Sequence, residues 1–230
     1  FHPQLLVDGG LIFHMNGSPL MKIDHCSNLL FQNKHDLFHH SISIDKDQNI
    51  WVPSHMYPQT LPEYQVGREI IHQGGFKEDA IVKLSSDGKV LYEKSVPEIF
   101  IDNGLGYLLF SFGIDGFLDD PIHLNDIEPI NFNGEYWKKG DVFLSLRNQS
   151  MVILYRPSTN KIIWKGSGPF AHQHDVNILD EHRISILNNN SKYFVNGNFV
   201  DGHNEVIIFD FKSNQYNSYL SKSLTINDVR

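Results

Sequence analysis

Cysteine is nearly absent. The single Cys26 excludes an internal disulfide and any cage of thiolates around zinc, and it leaves the redox compartment open. No run of 18 apolar residues occurs, so no segment has the make-up of a membrane-spanning helix, and no membrane partner is expected. Basic residues are in the minority, 19 Lys and Arg against 27 Asp and Glu, and they are scattered. A nucleic-acid surface needs a basic stripe, so nucleic acid is not an expected partner, and an anionic small molecule would need a local positive site. The opening FHPQLLVDGG holds no initiator Met, no basic n-region and no apolar signal-peptide core, and reads as the start of a fragment. Helical patterning is missing too: no segment of useful length spaces its apolar residues three and four apart.

What the chain does have is enough apolar residue, 40% of 230, to bury a real core, and an unusual thirteen histidines. Short apolar segments recur around polar turns: PLMKIDHCSNLLFQ at 19–32, AIVKLSSDGKVLYE at 80–93, SMVILYRPSTNKIIWK at 150–165 and EVIIFDFKSNQYNSYL at 205–220. Each reads as strand, turn, strand, with Ser86-Asp87-Gly88 and Ser158-Thr159-Asn160 at two of the turns. Ahead of each pair stands a segment that begins at His2, His40, His123 or His174 and runs into LIF, IWV, VFL or ISI. The step from histidine to the second strand is ten residues in three units, His2 to Ile12, His40 to Ile50 and His174 to Ile184. In the unit of His123 it is nine longer, which places a loop at NFNGEYWKK.

Four antiparallel strands per unit, repeated every 50 to 70 residues or so, predict an all-β chain of propeller blades rather than a sandwich. Residues 1–230 are then a single β-propeller domain, truncated at both ends, with about four blades visible. Open edges at the ends favour self-association, of which a homodimer is the simplest form.

In a propeller the first strand of each blade runs along the central channel, so four histidines at matching positions converge at its mouth. Strand alternation allows only one of His39 and His40 to look inward, and the ten-residue register selects His40. His172 and His174 share a face and both can enter the site, and Asn125 joins His123 while Asp126 does not. The strand DVFLSLRNQS sets Phe143, Ser145 and Arg147 on one face. Beside a ring of histidines the Arg147 guanidinium suits bidentate binding of a tetrahedral oxyanion, and its fixed charge speaks against a metal among those rings. His55 holds the corresponding position one blade earlier and receives no role. Three aromatic-rich loops, 56–64, 107–117 and 133–140, could stack on an aryl ring or simply pack the core.

The segments DPIHLNDIEPI, GDVFLSLRNQSMVILYRPSTNKIIWKGSG and FAHQHDVNILDEHRISILNNN carry H-x-N, S-x-R-x-Q-S and Q-H-D in that order. Over roughly residues 36 to 190 the chain resembles the bacterial arylsulfotransferase family, which uses phenolic sulfate esters and needs no nucleotide sulfate donor. The resemblance implies a six-bladed propeller, no cofactor, and ping-pong sulfuryl transfer from an aryl sulfate to a phenol through a sulfohistidine. It implies that His40, His123, His174 and Arg147 are catalytic, with His174 of Q-H-D the nucleophile, and that Asn125 contacts substrate; His172, on the same strand face as His174, is a further candidate for substrate contact. It also implies export to the periplasm. The chain departs from the family pattern at Ser41, where Asp is usual, at the turn Asp47-Gln48-Asn49, and at Asn188-Asn189-Asn190, where D-N-G is common.

Two further classes of function stay open on the residues alone. A ring of His2, His40, His123 and His174 has the imidazole-rich chemistry to hold iron or zinc in an oxygenase or lyase. A non-catalytic propeller would use the same ring as a polar layer or ligand cradle.

Overall fold

The computed structural model describes residues 3–15, 18–33, 37–62, 75–110, 119–194, 197–200 and 202–219. His2 lies outside them. Four four-stranded antiparallel sheets follow one another along the chain. Blade A is β1 (Gln4–Leu5), β2 (Leu11–Phe13), β3 (Leu20–Ile23) and β4 (Leu29–Asn33). Blade B is β5 (Ser43–Ile44), β6 (Ile50–His55), β7 (Asp79–Leu84) and β8 (Val90–Ser95). Blade C is β9 (Leu124–Pro129), β10 (Val142–Leu146), β11 (Met151–Arg156) and β12 (Lys161–Ser167). Blade D is β13 (His174–Ile178), β14 (Arg183–Asn188), β17 (Glu205–Asp210) and β18 (Gln215–Tyr219), with a hairpin of β15 (Ser191–Phe194) and β16 (Gly197–Val200) inserted after β14.

The middle strands of the central blades, such as β10 and β11, are buried on both faces because neighbouring blades cover them, and alternation divides their side chains between two cores. Val142, Leu144 and Leu146 of β10 join Ile81, Trp51 and Ile127 between blades B and C. Phe143, from the same strand, points the other way and packs with Ile184, Ile186 and Phe209 between blades C and D. A third core, with Ile12, Leu20, Ile50, Val52 and Val82, joins blades A and B. Each such side chain contributes about 1.5–3 kcal/mol on burial, so the blades are held together by side chains rather than by a continuous sheet.

Polar links fix the inner strands of blades C and D against their neighbouring blades. The Leu124 amide of β9 donates to Asp79 Oδ2 on blade B at 3.0 Å, and the Val176 amide of β13 donates to Asp126 Oδ2 on blade C at 2.7 Å. The turns are built on one plan: Asp24 Oδ1 and Asp45 Oδ1 each accept from the amides two and four residues on, and the fourth residue, Ser27 or Gln48, is left-handed.

Among the described residues two α-helices depart from the all-strand expectation. The first, α1 (Val96–Asp102), follows β8; α2 (Tyr107–Phe110) is one turn long. Ser95 caps α1 by accepting the Glu98 amide at 3.2 Å, and Val96, Ile99 and Phe100 enter the core between blades B and C. Seven residues are too few to show a helical period, but Ser95-x-x-Glu98 with Pro97 is a capping signal that could have revealed it. The loop at 131–139 sends Trp137 into the core between blades C and D against Phe143, which settles its aromatic residues as packing.

Candidate active site

The histidines meet where the inner strands begin. His40 precedes β5, His123 immediately precedes β9, and His172 precedes β13; all three have left-handed backbones, with φ of 60°, 56° and 50°. That conformation is costly for a residue with a Cβ and concentrates at functional positions. His174 opens β13, and the bulge that follows it, with Asp175 at φ 45°, interrupts simple alternation. In backbone geometry His172 is therefore the counterpart of His40 and His123, although the ten-residue register selects His174. The ring centroids of His40 and His123 are 4.9 Å apart, and those of His40 and His174 are 6.3 Å apart.

Arg147 stands in a 3-10 turn, Arg147–Gln149, that ends β10. Its amide donates to His123 O at 3.0 Å, and its guanidinium Nη1 donates to Asn148 Oδ1 at 2.9 Å. Among the described residues no carboxylate pairs with it, so its charge acts on the imidazoles. Burial first, and the Arg147 charge second, lower the pKa of both His172 and His174, the latter to about 4. Burial, then the neighbouring His39 and His123, push His40 down to about 2. His40 and His174 are neutral at pH 7.

The remaining partners decide where the protons sit. His123 Nδ1 donates to Asp120 Oδ2 at 2.7 Å, and His172 Nδ1 donates to Ser191 O at 2.8 Å. Asn189 Nδ2 donates to His172 O at 2.7 Å and lies 2.7 Å from His174 Nδ1, which makes that nitrogen the acceptor. Asn125 is buried in the seam between blades C and D, its Nδ2 donating to Gln173 O at 2.8 Å.

Sequence reasoning erred on His39. Its ring does not turn away from the channel: His39 Nδ1 is 2.8 Å from His40 Nδ1, because the left-handed backbone at His40 breaks the alternation that would have separated them. His39, His40, His55, Lys77, Asp79, Asp120 and His123 line one cavity of about 70 Å³. His55, Asp79, Asp120 and Lys77 were also missed; of these only Asp120, three residues before His123, carried a local signal. Among the described residues none of the three aromatic loops lines this cavity; residues 63–64 and 111–117 lie outside the described residues.

Deeper in the channel, residues from all four inner strands enclose a second cavity of about 370 Å³, including Gln4, Ser43, Asp126, Glu128, Asp175 and Asn177. Burial raises Asp126 to about 7 and, together with the Asp126 charge, Glu128 to about 8. Both carboxyls therefore carry reduced charge near neutral pH, whereas Arg147 at the mouth keeps its positive charge and attracts an anion.

Radial four-stranded sheets around a histidine-lined channel define a β-propeller with a polar central site. The model of the Arylsulfotransferase (ASST) family matches residues 2–229, and the chain belongs to that family. No curated protein matches it. Among solved structures it is similar to a protein of unknown function from Bacteroides caccae, at 13% identity and a TM-score of 0.55, covering 100% of this chain and 61% of that one. It is also similar to the Dos1 propeller, at 13% identity and a TM-score of 0.50, covering 95% of this chain and 51% of that one. These likenesses carry the fold alone, and the chain spans less than two thirds of either structure.

Proposed function

We propose that this chain carries the site of an aryl-sulfate sulfotransferase that works by a ping-pong mechanism through a sulfohistidine. The observation that carries the proposal is the meeting of His40, His123 and His174 beside Arg147, in a chain of the arylsulfotransferase family. An imidazole nitrogen of His174 attacks sulfur with its lone pair, the bond from sulfur to the aryl oxygen breaks, and phenoxide leaves with that electron pair. A lowered pKa keeps the attacking ring unprotonated. Arg147 holds the sulfuryl oxygens, whose charge persists throughout the transfer. His123, which must enter the cycle as an imidazolium beside the Asp120 carboxylate, gives its Nε2 proton to the departing phenoxide, is left with a lone pair there, and takes a proton back from the acceptor phenol. The phenol oxygen then attacks sulfur, the sulfur–nitrogen bond breaks, and His174 is regenerated. Asn125 has a second Nδ2 hydrogen to offer substrate, and His172 lies close enough to Arg147 to share the anion.

Attack through Nε2 of His174 requires the ring proton on Nδ1. The Asn189 amide must then present its oxygen to that nitrogen, half a turn from the orientation described above. His172, whose Nδ1 already donates to Ser191 O, is the competing nucleophile.

The test is a single-turnover experiment with a chromogenic aryl sulfate and no acceptor. A burst of phenol should leave a sulfuryl adduct, mapped under non-acidic conditions to His174. His174→Ala should lose burst and adduct, His172→Ala should keep both, and Arg147→Ala should slow the burst about 100-fold or more with the fold intact. An adduct on His172 would reassign the nucleophile, and no burst with any of a range of aryl sulfates would overturn sulfuryl transfer.

A further inference from the structure

Behind His40 lies a group of side chains that sulfuryl transfer does not use. Asp79 opens β7, His55 closes β6 opposite it in the ladder, and His39 approaches from the loop before β5. Asp79 Oδ2 accepts the Leu124 amide at 3.0 Å, which leaves Oδ1 directed at the two imidazoles. His39 Nε2 and His55 Nε2 are each 3.4 Å from that oxygen. The three atoms lie within 4.8 Å of one another.

Those distances are long for hydrogen bonds, since N–H···O contacts cluster near about 2.9–3.0 Å. His39 Nε2 and Asp79 Oδ1 are both buried and have no hydrogen-bond partner. An unsatisfied carboxylate oxygen in the interior is expensive, and two unsatisfied groups facing each other call for something between them. The spacing identifies what fits. Ligands bound to a tetrahedral ion at about 2.0–2.1 Å stand about 3.3–3.4 Å from each other along the tetrahedron's edges, and that is the separation of each imidazole nitrogen from Asp79 Oδ1.

We propose that His39, His55 and Asp79 form a three-ligand site for a divalent first-row transition ion such as zinc, with the fourth position open to the small cavity shared with His40 and His123. Two imidazoles and one carboxylate, without a thiolate, suit such an ion, and a fourth ligand from water completes the tetrahedron. Lys77 lines the same cavity, but Asp120 holds its ammonium at 3.3 Å, so one cation there is already compensated. The site also has the outer contact that metal-bound histidines make. With Nε2 on the metal, the His39 proton resides on Nδ1 and is donated to His40 Nδ1 at 2.8 Å. The ion therefore fixes the His40 proton on Nε2, turning that ring into a donor within the channel.

This site stands apart from the sulfuryl-transfer reading, and its test measures binding alone. The intact chain, stripped with a chelator and dialysed, is titrated with zinc by calorimetry and with cobalt by visible absorption. One equivalent should bind, with the intense visible bands of four-coordinate cobalt displaced by zinc. His55→Ala, at the least buried edge of the cluster, should weaken binding about 100-fold or more, and Asp79→Asn, which keeps an acceptor for the Leu124 amide, should do the same. His174→Ala should leave the affinity unchanged. Loss of binding in His174→Ala together with retention in His55→Ala would move the ion to the channel ring and overturn the proposal. No stoichiometric binding at micromolar zinc would also overturn it, leaving Asp79 and the two imidazoles to share a proton instead.

Discussion

Asp126 gives the sharpest check on the electrostatics of the channel. It is 5% exposed and accepts the Val176 amide, yet burial raises its pKa from 3.8 to about 7. A carboxyl with a raised folded pKa binds its proton more tightly in the native state. Its contribution to stability is complete below the unfolded pKa and is lost as pH rises through the folded one. One pKa unit is worth about 1.4 kcal/mol, and about two units of this window lie above pH 5, a ceiling of about 3 kcal/mol between pH 5 and 9. Relaxation into the adjoining cavity and coupling to Glu128 reduce that to about 1–3 kcal/mol. Asp126→Asn keeps an oxygen for the Val176 amide and cannot ionise. It should match the parent at pH 5 and exceed it by about 1–3 kcal/mol at pH 9, measured by urea unfolding. Comparing the two proteins at each pH cancels the buried histidines, whose lowered pKa values act oppositely, removing stability as pH falls below the unfolded imidazole range. A difference between parent and variant that does not change from pH 5 to 9 would refute the reasoning.

The depressed pKa of His174, about 4, predicts that the single-turnover burst keeps its rate as pH falls from 7 to 5 and loses it only below that; an acid limb at the ordinary imidazole pKa near 6.5 would contradict it. Gly88, at φ +84°, would set a Cβ 2.6 Å from the Phe31 ring across the seam between blades A and B. Gly88→Ala should cost about 2 kcal/mol or more from the left-handed backbone and the overlap together, read as a drop in the urea midpoint, and an unchanged midpoint would show that the two blades are not tightly packed there.

The blades were legible in the sequence because propeller strands alternate between two interblade cores, so Val142, Phe143 and Leu144 are all apolar and all strand-like whichever face they serve. The turns were legible because Asp24 and Asp45 build them from local hydrogen bonds. The site was only half legible. Counting in twos along a strand assumes extended backbone, and the left-handed residues His40, His123, His172 and Asp175 break that count where the proposed site lies. For that reason counting in twos separates His39 from His40, whereas the two rings meet at their Nδ1 atoms. The link between Asp79 and His55 was invisible for another reason. Their relation is a ladder pairing between two strands separated by a long connection, and no spacing within either strand reports it.

Each channel imidazole is oriented at Nδ1 by a partner that takes no part in bond-making, and together these partners set up unlike rings from one residue type. Asp120 and the Ser191 carbonyl take protons from His123 and His172, so in the neutral form each keeps a lone pair at Nε2. Asn189 gives a proton toward His174, which leaves the His174 proton on Nε2. His39 decides the case of His40, and the ion proposed at His39 would make that ring a donor too. Sulfuryl transfer needs a lone pair at sulfur and donors at the oxygens at the same moment, and a channel of identical tautomers would offer only one of these. On the proposed mechanism the attacking ring is therefore tied to the orientation of one side-chain amide: turning Asn189 exchanges a donor for an acceptor at His174 and gives up the bond its Nδ2 donates to His172 O, while the rings of His123 and His172 keep their Nδ1 partners. A mapped adduct on His174 thus reports both the nucleophile and the amide orientation that made it one.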